Sequence, residues 1–160
     1  MPVTYENVFY DYVLDPLRDI FMSEYNYGTI YIAPSIVHRD PFSIRIWGDS
    51  ADTQLITSGS WQKEYSVEIS LYEIEKNGNE VFHKQFFNDI QRIYQLLVDN
   101  AKTNATTLTG SGNNTSSKKL TWVNGVCDDY TINEFVGEEE EIDGLNVCRF
   151  NFNCIIIRTN

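Results

Sequence analysis

Histidines, the side chains best suited to acid–base or metal chemistry near neutral pH, are few in this chain and lie far apart. Only two histidines occur, His38 and His83, and neither has a sequence neighbour that would make it a base or a metal ligand. His38-Arg39-Asp40 copies the tripeptide of a protein-kinase catalytic loop, where the aspartate takes the substrate hydroxyl proton. The glycine-rich loop and the Asp-Phe-Gly that must accompany it are both missing. Gly110 to Lys118 has the glycines of a phosphate loop but not its closing Gly-Lys-Ser/Thr. No Gly-x-Ser-x-Gly elbow exists to present a nucleophile. Asp49 with Asp52, or Asp128 with Asp129, could offer carboxylates to a cation. Without the glycine and glutamate of a calcium loop they read as solvated turn residues. The expectation is no enzyme, with no catalytic, cofactor-binding or metal-binding residue. A small hydrolase or ligand-binding domain built around His38 or His83 is the contrasting reading.

Three cysteines form no zinc-ligand pattern. Cys148 and Cys154 share a face of one strand, separated by about 20 Å, too far for a disulfide. Buried free thiols are expected.

With 160 residues, 42% of them apolar and 14% aromatic, the chain has material for one core and no linker composition to divide it. Its 23 acidic and 12 basic residues give a formal charge of −11, the opposite of a nucleic-acid grip. No basic and apolar leader opens the sequence, and no apolar run approaches a membrane span. Use in a cytoplasm, with no membrane partner, is expected.

The elements follow from periodicity. Residues 5–25 read as a helix broken at Asp15-Pro16, with Leu17, Ile20, Phe21 and Tyr25 as its second apolar stripe. Strands are expected at Thr29–Ala33, Phe42–Trp47 and Gln62–Ile74, the last with Tyr65, Val67, Ile69 and Leu71 on one face. Phe82, Phe86, Ile90, Ile93 and Leu97 mark an amphipathic helix, flanked by Phe87, Tyr94 and Val98. Residues 103–117 are polar and low in complexity, and read as a mobile surface loop. Trp122 to Gly125 reads as a strand end and turn, Tyr130–Val136 and Leu145–Arg158 as strands, and Asp143-Gly144 as a two-residue hairpin turn. That turn would set Glu138 opposite Arg149. The fold class is α+β, a mainly antiparallel sheet with helices on one side, in the order α-β-β-β-α-β-β.

Glu138, Glu139, Glu140 and Glu141 form the longest single-sign run. Four glutamates in a strand place two on each face, so the hairpin should project into water, as an arm against edge pairing or as a contact for a basic partner. Trp47 falls opposite the apolar face of its strand. It, Trp61 and Trp122 are candidates for a subunit contact, where tryptophan is enriched, or equally for the rim of the core.

This element order, with Thr4-Tyr5-Glu6-Asn7-Val8-Phe9-Tyr10, Asp15-Pro16-Leu17-Arg18, Phe42 to Trp47 and Tyr65 to Leu71, resembles the tail-terminator or tail-completion proteins of long-tailed bacteriophages. The resemblance spans residues 5–158 and lies in element order more than in motifs. It implies a structural protein of the virion neck, assembled in the host cytoplasm. There a ring, usually a hexamer, caps the finished tail tube and joins it to the head connector. In contractile tails it also anchors the sheath. Its implied partners are its own copies, the tail tube protein, head–tail connector proteins and possible sheath subunits, with DNA only as passing cargo. Glu138–Glu141, Trp47 and Trp61 would then sit at an interface or in the ring lumen. Other neck or baseplate components, and a host adaptor domain, are the alternatives.

Overall fold

Alternating apolar residues on four long strands build the protein around one face of a sheet. The structure, a computed structural model, describes residues 7–25, 29–34, 41–57, 60–74, 80–101, 103–104, 121–136 and 143–158. The strands are β1 (Thr29–Ile32), β2 (Phe42–Thr57), β3 (Ser60–Ile74), β4 (Thr103–Asn104), β5 (Thr121–Val136) and β6 (Asp143–Arg158). They lie in the order β1-β2-β3-β6-β5-β4, where β4 is a two-residue pairing on the edge of a five-stranded sheet.

Ile44 and Ile46, Tyr65 to Leu71 at every second position, and Cys148 to Ile156 likewise are buried on one face. The helices α1 (Asp15–Glu24) and α2 (Glu80–Asp99) bury Leu17, Phe21, Phe86, Ile90, Ile93 and Leu97 in the same cluster. The protein is therefore an α+β single domain with its helices against the sheet, as periodicity predicts. Among the described residues no helix is long and apolar enough to cross a membrane.

Several expectations are corrected. The helix does not break at Asp15-Pro16. A π-helical turn, Tyr10–Leu14, runs directly into α1, and the Asp15 N–H donates to the Tyr10 carbonyl five residues back. Pro16 has no N–H to give to the preceding turn, and the widened turn absorbs that mismatch. The first strand pair is parallel, Thr29 beside Ser43 and Ile32 beside Ile46, so the sheet is mixed.

The turn expected at Trp122 to Gly125 is the interior of β5. Gly125 pairs with Cys154 after a bulge between Trp122 and Asn124, and is buried. A Cβ there would lie 2.4 Å from Trp122 Nε1 and 2.7 Å from Phe152 Cζ. Glycine thus stands at this position because two rings crowd the backbone.

Asp143-Gly144 is not the hairpin turn either. Asp143 opens β6 opposite Val136, and Arg149 lies opposite Thr131 instead of Glu138. The connection is residues 137–142, so the Glu138–Glu141 run lies outside the described residues, as does most of the segment 103–117. Its first two residues are β4, with Thr103 opposite Trp122 and Asn104 opposite Thr121.

Candidate interaction surface

A concavity lies where the short edge strand β1 stops and β2 runs on. Ala33 N–H donates to Ile46 O at 3.2 Å, and beyond that bond no described strand pairs with the outer edge of β2. A bulge between Gly48 and Ser50 bends the strand at this point. The Phe9 ring lies against Gly48, where a Cβ would come within 2.7 Å of it. Phe9 in turn packs edge-on against Tyr65 at 4.7 Å, anchoring the N-terminal helix over the sheet.

Side chains from three elements converge here on a groove of about 740 Å³, among them Phe9, Tyr10, Arg18, Tyr31, Arg45 and Trp47. Arg45 and Trp47 share the face of β2 opposite Ile44 and Ile46, as alternation predicts. Their environments differ. Arg45 is 2% exposed, its guanidinium 4.0 Å from the centre of the Tyr31 ring beside it on β1, whereas Trp47 is 46% exposed. Arg18 pairs with the buried Asp15 one turn back. The described lining therefore holds two guanidiniums and no carboxylate, in a protein whose net charge is strongly negative.

Trp61 does not join Trp47. It lies on the apolar-face parity of β3, seven residues from Glu68, the partner of Trp47, or about 23 Å along the strand. Half-buried, it has Lys63 Nζ 5.4 Å from its ring.

On the polar face the fold gathers carboxylates that are distant in sequence. Asp49, Asp128 and Asp129 line one depression with Ser66, Asn151 and Asn153. Asn151 Nδ2 donates to Asp129 Oδ1 at 2.7 Å, Asn153 Nδ2 donates to Asp128, and Ser66 Oγ donates to Asn153 Oδ1 at 2.6 Å. Among the described residues no group of three or more potential ligands is placed to hold a metal ion. Arg149 Nε approaches Glu68 Oε1 at 3.5 Å on the same face.

Besides Asp15 and Arg45, two further charged residues among the described ones are buried, neither of them singled out from the sequence. Glu73 of β3 and Asp89 of α2 are 6% and 2% exposed, with Asp89 near enough to act on the Glu73 carboxyl. Burial first, then the charge and hydrogen bond of Asp89, push the Glu73 carboxyl up to about 8. The signal was present in the sequence. Glu73 continues the buried parity of Val67, Ile69 and Leu71, and Asp89 follows Phe86 at helical spacing.

His83 is exposed near the start of α2, edge-on to Phe82 with ring centres 5.8 Å apart, and His38 lies outside the described residues. Cys148 and Cys154 are buried free thiols, and Cys127 is a half-buried one. No protein-family model matches the chain, and no curated protein matches its sequence.

Proposed function

We propose that this protein is a structural assembly protein of a long-tailed bacteriophage, a ring that caps the tail tube and joins it to the head connector. The observation that carries this reading is the asymmetry of the sheet. One edge is the short β1 with its arginine and aromatic groove, the other is β5 covered by a two-residue β4. Two unlike edges favour a heterologous contact, which closes into a ring when the rotation between copies allows. The element order that resembles tail terminators supports it, as does a net charge of −11, which lets DNA pass a lumen without sticking.

The ring is proposed as a hexamer, and in a contractile tail it would also hold the last sheath ring. Its work is non-catalytic and consists of stopping tube growth and presenting a surface to the connector. The test is tube elongation. Added to growing tail-tube subunits, the protein should halt elongation and appear as a cap on tube ends. Tubes that grow past it unaltered would overturn the proposal.

A further inference from the structure

Large apolar side chains left in water gather at the two opposite edges of the sheet. Among the described residues eight such side chains are exposed. Met22 and Trp47 lie at the β1–β2 edge, and Phe87, Val98, Val126, Tyr130 and Ile132 lie on or beside β5, which leaves only Val81 elsewhere. We propose that β1 of one copy pairs with β5 of the next, Ile30 beside Ile132 and Ile32 beside Tyr130, so that one sheet continues from subunit to subunit. This rests on the ring reading and deepens it by naming the strands that meet.

Strand register defines the fit. Ile30, Ile44, Leu71, Cys148 and Ile132 lie side by side across five strands, and Ile32, Ile46, Ile69, Phe150 and Tyr130 form the next row on the same face. The three inner members of each row are fully buried. At the ends, Ile30 and Ile32 are half-buried, while Tyr130 and Ile132 are 41% and 43% exposed. On its outer side β5 is paired by a described strand only at Thr121 and Trp122, and β1 not at all. Setting Ile30 of a second copy beside Ile132 extends both rows at once and gives all four end residues an apolar neighbour.

Strand direction agrees. β1 runs with β2, against β3, with β6 and against β5. A second copy held the same way up, with its helices on the same face, therefore offers β1 to β5 as an antiparallel partner. Copies related without a flip make a heterologous contact. Ile30 and Ile132 already stand at one height across the sheet, so successive copies gain no rise, as a ring requires and a helical filament does not.

The helices match above the strands. α2 turns Arg92 toward Glu24 of α1 and Tyr94 toward Tyr130 of β5, where the two tyrosine ring centres are 6.3 Å apart. Phe87 and Val98 share the Tyr94 flank, about two turns before it and about one turn after. At the other edge Arg18 lines the groove with Ile30 and Ile32, and Met22 stands exposed about one turn further along α1. In the extended sheet α2 of one copy lies beside α1 of the next, and these apolar side chains leave water together.

The test is a disulfide that only two copies can form. Within one chain Ile30 and Ile132 are four strand spacings apart, about 19 Å. Facing residues of an antiparallel pair have Cα atoms about 4.5–5.5 Å apart, within disulfide reach. Ile30→Cys and Ile132→Cys are placed in separate full-length chains with different tags, which are mixed and gently oxidised, alone and with tail-tube subunits. The two chains should join, and mass spectrometry should place the link at positions 30 and 132. Val81→Cys mixed with Ile30→Cys should give no such link. Ile132→Lys, at an exposed site, should raise the concentration needed for self-association about tenfold or more with circular dichroism unchanged. Should a cysteine chain misfold, Ile132→Lys decides alone.

Oligomers that form without the link, or that Ile132→Lys leaves unaltered, would overturn the strand pair and leave the ring reading standing. A cysteine chain that links to its own kind at the new site would mean a two-fold contact and overturn both. So would a chain that stays monomeric with and without tube subunits. A link at 30 and 132 in a protein that never caps tubes would keep the contact and sink the tail role.

Discussion

Glu73 of β3 and Asp89 of α2 place two carboxyl groups in contact beneath the amphipathic helix, both nearly inaccessible to solvent. Gln85 Nε2 donates to Asp89 Oδ1 at 3.2 Å. The folded state raises the Glu73 carboxyl from 4.5 to about 8. Below pH 4.5 both states bind this proton and its titration does not affect stability. From there to about 8 the unfolded chain has released a proton that the folded one retains, so stability falls as pH rises. Glu73→Gln removes that titration and keeps the shape. Its thermal unfolding midpoint should therefore gain on the native protein between pH 5 and pH 9, and parallel curves for the two would contradict the pairing.

Gly125 leaves no room for a side chain. Gly125→Ala drives a methyl into Trp122 and Phe152, whose ring centres lie 5.0 Å apart at a tilt of 60°. The expected loss is about 1–3 kcal/mol in urea unfolding, typical of overpacking. An alanine variant as stable as the native protein would mean the two rings are not where the register of β5 and β6 puts them.

The thiols should be inert while the protein is folded. Burial, then the neighbouring Cys127, pushes Cys148 up to about 12, and burial with Glu64 raises Cys154 further. Cys127 rises to about 11 through burial and the adjacent Asp128 and Asp129. Only the thiolate reacts, so iodoacetamide at pH 8 should leave Cys148 and Cys154 unlabelled in the native state and label all three after denaturation, as read by mass spectrometry. Rapid native labelling of Cys154 would contradict its place in the core.

Arg92 ties the two helices together. Its Nε donates to Glu24 Oε1 at 2.6 Å, its Nη2 to the Glu24 carbonyl at 3.2 Å, and its guanidinium lies 4.6 Å from the Tyr25 ring centre. Both charged side chains are more than a third exposed, so the ion pair itself contributes little. Glu24→Gln should therefore cost less than about 1 kcal/mol. Arg92→Lys should cost more, because lysine loses the fork and the stacking. Equal losses in denaturant titration would reduce the link to a simple charge pair.

Much of the fold was legible in the sequence because one face of each strand meets the core. Alternation located Phe42–Trp47, Gln62–Ile74 and Leu145–Arg158, and helical spacing located α2. The second half of β2, Gly48 to Thr57, carries no such pattern. It becomes strand because β3 pairs along its whole length, from Gly48 beside Val67 to Thr57 beside Ser60. Asp143-Gly144 carried a turn signal that the pairing of Asp143 with Val136 overrode. The groove was half visible. Trp47 stood out by parity, but Tyr31 and Arg45 meet only because β1 runs parallel to β2, and Phe9 arrives from the N-terminal helix. Asp49, Asp128 and Asp129 were separate turn residues in the sequence and come together only across the assembled sheet.

The most direct test of the central claim is the mass of the purified protein by light scattering, alone and with tail-tube subunits, followed by negative-stain imaging. The account predicts a ring close to six copies, formed alone or at tube ends. A monomer of 18.5 kDa at all concentrations, indifferent to tube subunits, would contradict it.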